Sequence, residues 1–188
     1  TSTSSRVIEG EPFGVLFGQA FQRTEAGEII IGSSGFPLQA ADPKIIGDPN
    51  PDWLMGISNS FGYKGVSFSF LWDIRQGGDV WNGTNGVAEY FGVTQETADF
   101  RGEAGQGVVF EGVVASGTNT EGETIYTPNQ QQVDLNNNAI GTASNRWHRY
   151  GFGTLGEENI EDASWIRLRQ VSLGYGLPKS LLGDGPFK

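Results

Sequence analysis

The strictest constraint on the fold is a two-residue alternation between residues 66 and 75. Large apolar side chains occupy every second position, and mostly small or charged side chains lie between them. Because side chains alternate across a β-strand, the apolar set shares one face. That set is Val66, Phe68, Phe70, Trp72 and Ile74. The segment is therefore predicted to be a strand with one apolar and one largely polar face.

Three further segments are predicted to be strands. Leu54–Phe61 precedes the alternating strand through the short connection Gly62–Gly65, which indicates a hairpin. Pro12–Phe21 is a strand candidate with imperfect alternation. In Ser164–Tyr175 the alternation changes phase, and a bulge near Gln170 would reconcile its two halves, since one extra residue reverses the facing of all that follow.

The connecting segments are long and rich in turn-forming residues. Residues 22–52 and 76–162 are predicted to be loops, with short helices near residues 87–91 and 95–100 and Thr94 as an N-cap. Val108–Val114 is a short strand candidate. Aromatic residues are scattered through the longer loop, and disordered segments are poor in such residues. We therefore expect an ordered, elaborate loop.

Several classes of function are disfavoured by what the chain contains. There is no cysteine and one histidine, His148, so thiolate catalysis and His-based metal triads are not expected. Ser-His-Asp catalysis is not expected either, because His148 in its RWHRY setting is interpreted as a loop residue that forms hydrogen bonds. The net charge of −10 disfavours nucleic-acid binding. The sequence has no run of about 18 apolar residues, so no membrane-spanning helix is predicted. We predict no enzyme activity, cofactor or metal site.

Two acidic motifs have the spacing of functional sites, but structural roles are expected for both. The spacing Asp48-x-Asn50-x-Asp52 matches the start of a calcium loop, but Trp53 replaces the required glycine, so a rigid turn is expected. The acidic residues 157–158 and 161–162 could pose as a carboxylate pair for glycoside hydrolysis. On a loop containing glycine and asparagine they are expected to form a solvated surface instead.

Two blocks of sequence resemble a known family. Residues 161–178 read EDASWIRLRQVSLGYGLP, and GDPNPDW at 47–53 is followed by FGYKG at 61–65 and QGGDVWNGT at 76–84. In this order they resemble the SusC/RagA-like TonB-dependent transporters of the bacterial outer membrane. The resemblance covers roughly residues 10–182.

The resemblance implies an antiparallel transmembrane β-barrel, of which this chain supplies about four strands. Residues 10–75 would hold strands and a hairpin, 76–162 a long extracellular loop, and 163–178 a strand. No segment of the 188 residues resembles the family's plug domain. The five apolar side chains of residues 66–74 would then face lipid.

The implied function is nutrient import under TonB control, with a SusD-like lipoprotein as a lid and an oligosaccharide or peptide as substrate. Aromatic rings suit such ligands, and the candidates for substrate or lid contact are Trp81, Tyr90, Trp147 and Tyr150. The alternative is a soluble all-β carbohydrate-binding module, in which the apolar faces meet in a sandwich core. Periodicity alone does not choose between the two.

Overall fold

The computed structural model describes residues 3–135 and 155–178. Within them the elements follow in the order β1 (Ser4–Arg6), β2 (Val15–Gly18), β3 (Lys44–Gly47), β4 (Trp53–Tyr63), β5 (Val66–Gln76), β6 (Asp79–Trp81), α1 (Gly83–Tyr90), α2 (Gln95–Asp99), β7 (Val113–Thr118), β8 (Thr124–Pro128), β9 (Ile160–Asp162) and β10 (Trp165–Tyr175). Short 3-10 helices occupy Gly102–Gly105 and Glu157–Asn159. The fold is all-β with little helix, as predicted. In this described part of the chain, no helix is long and apolar enough to cross a membrane.

The chain divides into two compact units. The sheet unit comprises Pro51–Gly78 and Asp162–Lys188, and the loop unit comprises Thr1–Asn50 and Asp79–Glu161. Each unit combines segments that are far apart in the sequence. The sheet unit holds the strands with alternating side chains, and the loop unit holds most of the segments predicted to be loops.

The sheet unit is built from three antiparallel strands of 11 residues each. They are ordered β10-β5-β4, so β5 is central and both neighbours pair with it along its length. The predicted hairpin is confirmed, with strands slightly longer than expected. Lys64 and Gly65 form its two-residue turn with positive φ angles of 46° and 85°, the combination that matches the twist of paired strands.

The predicted bulge in the last strand is also confirmed. The register of β10 against β5 shifts between Leu168 and Gln170, which leaves Arg169 as the extra residue. Before the shift Ile166 and Leu168 pair with alternate residues of β5, and after it Val171, Leu173 and Tyr175 continue on that same face. The bulge therefore keeps the apolar side chains of β10 on one side.

The loop unit has a core of its own. Phe36, Val133, Leu135 and Leu155 are buried together, and the Phe36 and Phe110 rings lie 5.4 Å apart. Three sets of paired strands contribute to this unit: β1-β2-β3, β7-β8 and β6-β9. The expected ordered loop is confirmed for residues 76–135 and 155–162, which lie within the described part.

Some predicted elements differ in extent. The strand expected over 12–21 is only Val15–Gly18, because Gly14 interrupts the extended chain with a φ of 78° and Phe21 forms a single bridge to Gln39. It pairs with β1 and β3 in the loop unit, so the sheet unit has three described strands rather than four. Of the strand expected over 108–114, only its end enters β7.

The two predicted helices are present with adjusted bounds. The first runs over Gly83–Tyr90 and the second over Gln95–Asp99. Thr94 is the N-cap of the second, and its side chain accepts a hydrogen bond from the Thr97 N–H at 3.2 Å. This contact satisfies one of the free donors of the first turn.

Candidate functional site: a two-faced sheet and its connecting loops

One face of the three-stranded sheet is an apolar belt. The register aligns the five alternating residues of β5 with apolar residues of both neighbouring strands. The belt, named here as a set, consists of Trp53, Met55, Ile57, Phe61, Tyr63, Val66, Phe68, Phe70, Trp72, Ile74, Ile166, Leu168, Val171, Leu173 and Tyr175. Asn59 and Gln76 are the polar residues in these same positions. The predicted grouping of the β5 side chains is thus present and extends across three strands.

The apolar belt is uncovered. No described residue of the sheet unit is buried, and the belt side chains are exposed or at most half-buried. The Phe61, Phe68 and Phe70 rings contact one another across the strands, with centroids 5.8 to 6.4 Å apart. A soluble sandwich would bury this face against a second sheet. Among the described residues no such cover exists.

Aromatic residues lie at both ends of the belt. Tyr63 and Tyr175 flank β5 at its hairpin end, and Trp53 lies opposite the last residue of β5 at the other end. All three are exposed. Tyrosine and tryptophan combine an apolar ring with a polar group and concentrate where hydrocarbon meets water. The belt is thus bordered at both ends by exposed aromatic residues.

The opposite face is mostly small or polar, with one charged cluster and three large apolar side chains, those of Leu54, Leu71 and Trp165. Near the hairpin it carries serine and glycine, including Ser67, Ser69 and Gly174. Towards the other end, Asp73 Oδ2 accepts hydrogen bonds from Arg167 Nη2 at 3.1 Å and Arg169 Nη1 at 3.3 Å. The bulge at Arg169 brings its guanidinium within reach of the Asp73 carboxylate, which Arg167 also contacts. Sequence reasoning placed these residues in the strands but did not find the cluster.

The end of the sheet away from the hairpin is fastened by a polar contact. Ser164 donates from both its hydroxyl and its N–H to Asp162 Oδ1, at 2.6 and 2.8 Å, and its Oγ accepts the Gly77 N–H at 2.8 Å. Gly77 has a φ of 76°, and a Cβ there would lie 2.4 Å from Asp52 Oδ2. The Ser164 hydroxyl and then its N–H lower the pKa of Asp162 from its ordinary value. Two of the motif segments, residues 76–84 and 161–178, therefore contact each other at this end of the sheet.

The loop unit fastens its own parts of the same motifs. Asp79 Oδ2 accepts the Asp48 N–H at 2.8 Å, and the Asp79 N–H donates to the Asp48 carbonyl at 2.6 Å. The Asn82 N–H donates to the Asn159 carbonyl at 2.8 Å, and Asn82 Nδ2 donates to Glu161 Oε1 at 2.9 Å. These bonds hold the two ends of the long loop side by side.

The acidic turn before β4 is held by its own side chains. Asp48 Oδ1 accepts the Asn50 N–H at 3.0 Å and Asn50 Nδ2 at 2.6 Å. The predicted turn is therefore present. In residues 3–135 and 155–178, no group of three or more His, Cys, Asp or Glu side chains is placed to hold a metal ion.

Two of the four predicted contact residues, Trp81 and Tyr90, lie within the described part of the chain. Trp81 ends β6 and is half-buried, with its Nε1 enclosed and without a hydrogen-bond partner among the described residues. Tyr90 ends α1, where its ring packs edge-on against Phe91 with centroids 5.2 Å apart. Trp147 and Tyr150 lie outside the described residues, as does His148.

Sequence reasoning missed two exposed apolar residues beside Tyr90. Phe91 and Val93 lie between α1 and α2, with 71 % and 76 % of their surface exposed. Such exposure of neighbouring large apolar side chains indicates a contact surface. The aromatic pair Tyr90–Phe91 was visible in the sequence, but its exposure depends on where the two helices end.

The loop unit also contains an open groove of about 720 Å³. Aliphatic side chains and uncharged polar groups share its lining, among them Leu38, Val114, Thr127, Asn129 and Gln131. Gln131 Nε2 donates to the Ser33 carbonyl at 3.1 Å, which steadies one wall. No signal in the sequence located this groove, because its walls come from separate segments without shared periodicity.

Comparison with known proteins identifies the kind of protein to which the chain corresponds. No family model matches it. TonB-dependent receptor P3 of Formosa agariphila is 28 % identical over 147 residues, which are 78 % of this chain and 11 % of that protein. TonB-dependent receptor P26 of the same organism is 26 % identical in an alignment that covers 98 % of this chain and 18 % of that protein. The chain therefore spans less than a fifth of the length of these relatives. The resemblance predicted from the two motif blocks is confirmed: over most of its length the chain is similar to a segment of TonB-dependent receptors.

Proposed function

We propose that the three-stranded sheet is part of the wall of an outer-membrane β-barrel, with its apolar belt against lipid. The uncovered apolar belt, with aromatic residues at both ends, carries this proposal. A strand of 11 residues spans about 33 Å, and a tilt of about 40° reduces this to about 25 Å along the membrane normal. That length equals the apolar band of known barrels, about 25 Å tall.

The protein is proposed to import a nutrient as a SusC-like transporter, and this segment makes or breaks no bond. The two-residue turn at Lys64 and Gly65 would lie on the periplasmic side, and residues 76–162 would form a long extracellular loop. Barrels of this kind have short inner turns and long outer loops, which supports the assignment. TonB and a SusD-like lipoprotein are the proposed partners.

Deletion of the long loop tests its role in uptake. The bond between the Asn82 N–H and the Asn159 carbonyl, 2.8 Å long, shows where a short glycine-serine linker can replace residues 83–158. In the complete receptor, this deletion should abolish uptake or lipoprotein association and leave barrel assembly intact, as read by heat-dependent migration on gels. A matched control shortens only the exposed β7–β8 turn, residues 119–123. Unchanged uptake in the long deletion would refute the role of the loop.

The exposed pair Phe91 and Val93 is proposed to contact the lipoprotein lid. Their apolar side chains fit an apolar patch on a partner better than they fit water. Replacing both by serine should reduce co-purification of the lipoprotein. A matched control is Gln95→Ser, which alters the first residue of α2. Equal co-purification by both variants would refute this contact.

The open groove and the aromatic candidates are proposed to meet the substrate, an oligosaccharide or a peptide. Amide and aliphatic side chains suit such uncharged, hydrogen-bonding ligands. Thr127→Trp would fill the groove, whereas Thr124→Trp on the same exposed strand lies outside its lining. Uptake should fall only in the first variant. Alanine at Trp81 and at Tyr90 tests those rings in the same assay, with loss of uptake but normal assembly as the expected result.

The alternative of a soluble binding module gives the opposite behaviour. Residues 1–188 alone should then form a monodisperse, cooperatively unfolding protein without detergent. We expect them to aggregate, because the apolar belt stays uncovered. Detergent-free, cooperative folding would favour the module.

A further inference from the structure

The open groove of the loop unit lies where two neighbouring extended segments separate. Residues 29–31 run parallel to β7: the Val113 N–H donates to the Ile29 carbonyl at 2.9 Å, and the Ile31 N–H donates to the Val113 carbonyl at 2.8 Å. The turn over residues 32–35, closed by a backbone hydrogen bond of 2.9 Å, then carries the first segment away from β7. The parallel pairing therefore stops after Val113, and the groove opens beyond it.

Ala115 presents main-chain hydrogen-bonding groups to this groove. The Asn129 N–H donates to the Gly112 carbonyl at 2.8 Å, and residues of an antiparallel pair alternate between hydrogen-bonded and non-hydrogen-bonded positions. Along the register from that bond, Ala115 directs its N–H and C=O away from β8. A regular parallel ladder would join the Ala115 N–H to the Ile31 carbonyl, but the described part of the chain forms no such bond. A strand edge of this kind can pair with another extended chain.

The walls of the groove are held in place before any ligand binds. Asn129 is buried, and its Nδ2 donates to the Phe110 carbonyl at 2.9 Å while its Oδ1 accepts the Gln131 N–H at 3.0 Å. Val114 and Thr127 are paired across β7 and β8 and both line the groove. None of the described lining residues is charged or aromatic. The lining thus suits uncharged side chains of modest size and offers a sugar ring no aromatic face.

The charge around the groove disfavours an acidic ligand. By sequence, the loop unit has 18 acidic and 6 basic residues, for a net charge of −12. A second pocket of about 450 Å³ shares Pro128 with the groove and contains Glu28 and Glu111. Its Arg23 is bound to Glu157, with Nη1 and Oε1 2.7 Å apart. This field repels anions and attracts cations.

We propose that the groove binds an extended peptide, uncharged or basic, which adds to β7 as a short strand. The peptide main chain accepts a hydrogen bond from the Ala115 N–H and donates one to the Ala115 carbonyl, so binding depends on backbone amides more than on one side-chain sequence. The register shift between Ala115 and Gly117 ends the regular edge, which keeps the added strand short. The inference rests on the proposed function, in which the groove meets the substrate, and it commits to a peptide and to main-chain recognition.

The variant Ala115→Pro in the complete receptor tests the main-chain contact. Proline removes the N–H that faces the groove and is tolerated where that N–H takes no part in the ladder. The probe is a mixture of eight-residue peptides with random uncharged or basic residues and amidated carboxyl termini. Peptides that the detergent-purified receptor retains on gel filtration are quantified by mass spectrometry. Retention by Ala115→Pro should fall at least about fivefold.

The matched control is Thr124→Pro. Thr124 pairs with Thr118 near the turn of the same hairpin and does not line the groove, and the same alternation directs its N–H outward, because the Asn119 N–H donates to the Glu123 carbonyl at 2.8 Å. Its peptide retention should equal that of the unchanged receptor. Limited proteolysis checks that the hairpin stays folded in both variants.

A change in the ligand tests the same contact without altering the protein. Methylation of alternate amide nitrogens in the peptide mixture removes main-chain donors and should also lower retention at least about fivefold. A failure to retain any peptide would overturn the inference, as would equal retention of the methylated and unmethylated mixtures or equal retention by Ala115→Pro and Thr124→Pro.

A mixture of malto- and xylo-oligosaccharides separates this inference from the proposed function. Retention of oligosaccharide in place of peptide, abolished by Thr127→Trp, would overturn the inference and leave the groove as a substrate site. Unchanged uptake in Thr127→Trp would instead refute the role of the groove in import.

Discussion

Replacing Phe70 by arginine in the complete receptor puts a charge near the centre of the proposed lipid-facing belt. Phe70 is the fifth residue of β5, about 13 Å along the strand from its hairpin end. With the strand tilted by about 40°, Phe70 lies about 10 Å into an apolar band about 25 Å tall. This is within about 3 Å of the bilayer midplane.

A bilayer makes the cost of that charge depend on depth. An arginine near the midplane of a lipid-facing strand costs about 2–4 kcal/mol, and the cost falls to about 0–1 kcal/mol near the interface. Phe70→Arg should therefore destabilise the receptor by the larger amount, and Val66→Arg at the hairpin end by the smaller. Ser69→Arg, one residue from Phe70 on the polar face, is the matched control and should cost less than Phe70→Arg.

The assay is the urea midpoint of unfolding for receptors assembled in lipid vesicles, together with the fraction that assembles. A steep penalty at Phe70, with small penalties at both controls, supports the lipid-facing belt. Equal penalties at Phe70 and Val66 would indicate burial in a protein core, where depth in a bilayer has no meaning. A larger penalty at Ser69 than at Phe70 would reverse the two faces and refute the assignment.

Three further changes test other parts of the account. Asn59→Val replaces the amide in the middle of the apolar belt and should raise the urea midpoint, by about 1 kcal/mol in unfolding free energy; a lower midpoint would mean that Asn59 binds a partner. Gly65→Val forces a β-branched residue to a φ of 85° and should cost about 1–2 kcal/mol, whereas Gly62→Ala, which has open space around it, should cost less; equal effects would refute the turn argument. Asp162→Asn should lower the free energy of unfolding at pH values above the ordinary aspartate pKa, because the folded protein holds the pKa of Asp162 low. This contribution is lost as the pH falls through the lowered pKa, so the unfolding free energies of the two proteins should converge in acid. A constant difference between them at all pH values would contradict the cause assigned to the pKa shift.

The strands of the sheet unit were predictable from the sequence. Alternation from Val66 to Ile74 defines a face without knowledge of its partners, and the phase change before Val171 predicts the bulge. These signals are local, so one sequence carries them. The short turn at Lys64 and Gly65 is local in the same sense.

The core of the loop unit was not predictable in this way. Phe36 packs with Leu135 and Leu155, which follow about a hundred residues later, and no periodicity links such positions. The strand at Val15–Gly18 was predicted to be longer because phenylalanine residues on either side of it favour strands, whereas Gly14, with a φ of 78°, interrupts the extended backbone.

The same distinction between local sequence signals and contacts of distant residues applies to the candidate sites. The apolar belt follows from alternation, whereas the cluster of Asp73 with Arg167 and Arg169 depends on pairing between strands about 90 residues apart. The exposure of Phe91 and Val93 depends on where α1 and α2 end. Single-sequence reasoning therefore found the strands and their apolar face and missed the contacts between distant residues.

Oxygen accessibility of spin labels along β5 tests the central claim most directly. Labels are placed one at a time at residues 66–76 of the complete receptor in lipid vesicles, and collisions with oxygen, which dissolves in hydrocarbon, are compared with those of a water-soluble nickel complex. The account predicts high oxygen accessibility at Val66, Phe68, Phe70, Trp72 and Ile74, greatest near Phe70, with low values at the residues between them. If those five positions are instead shielded from both reagents, the belt is covered by protein and the claim is wrong.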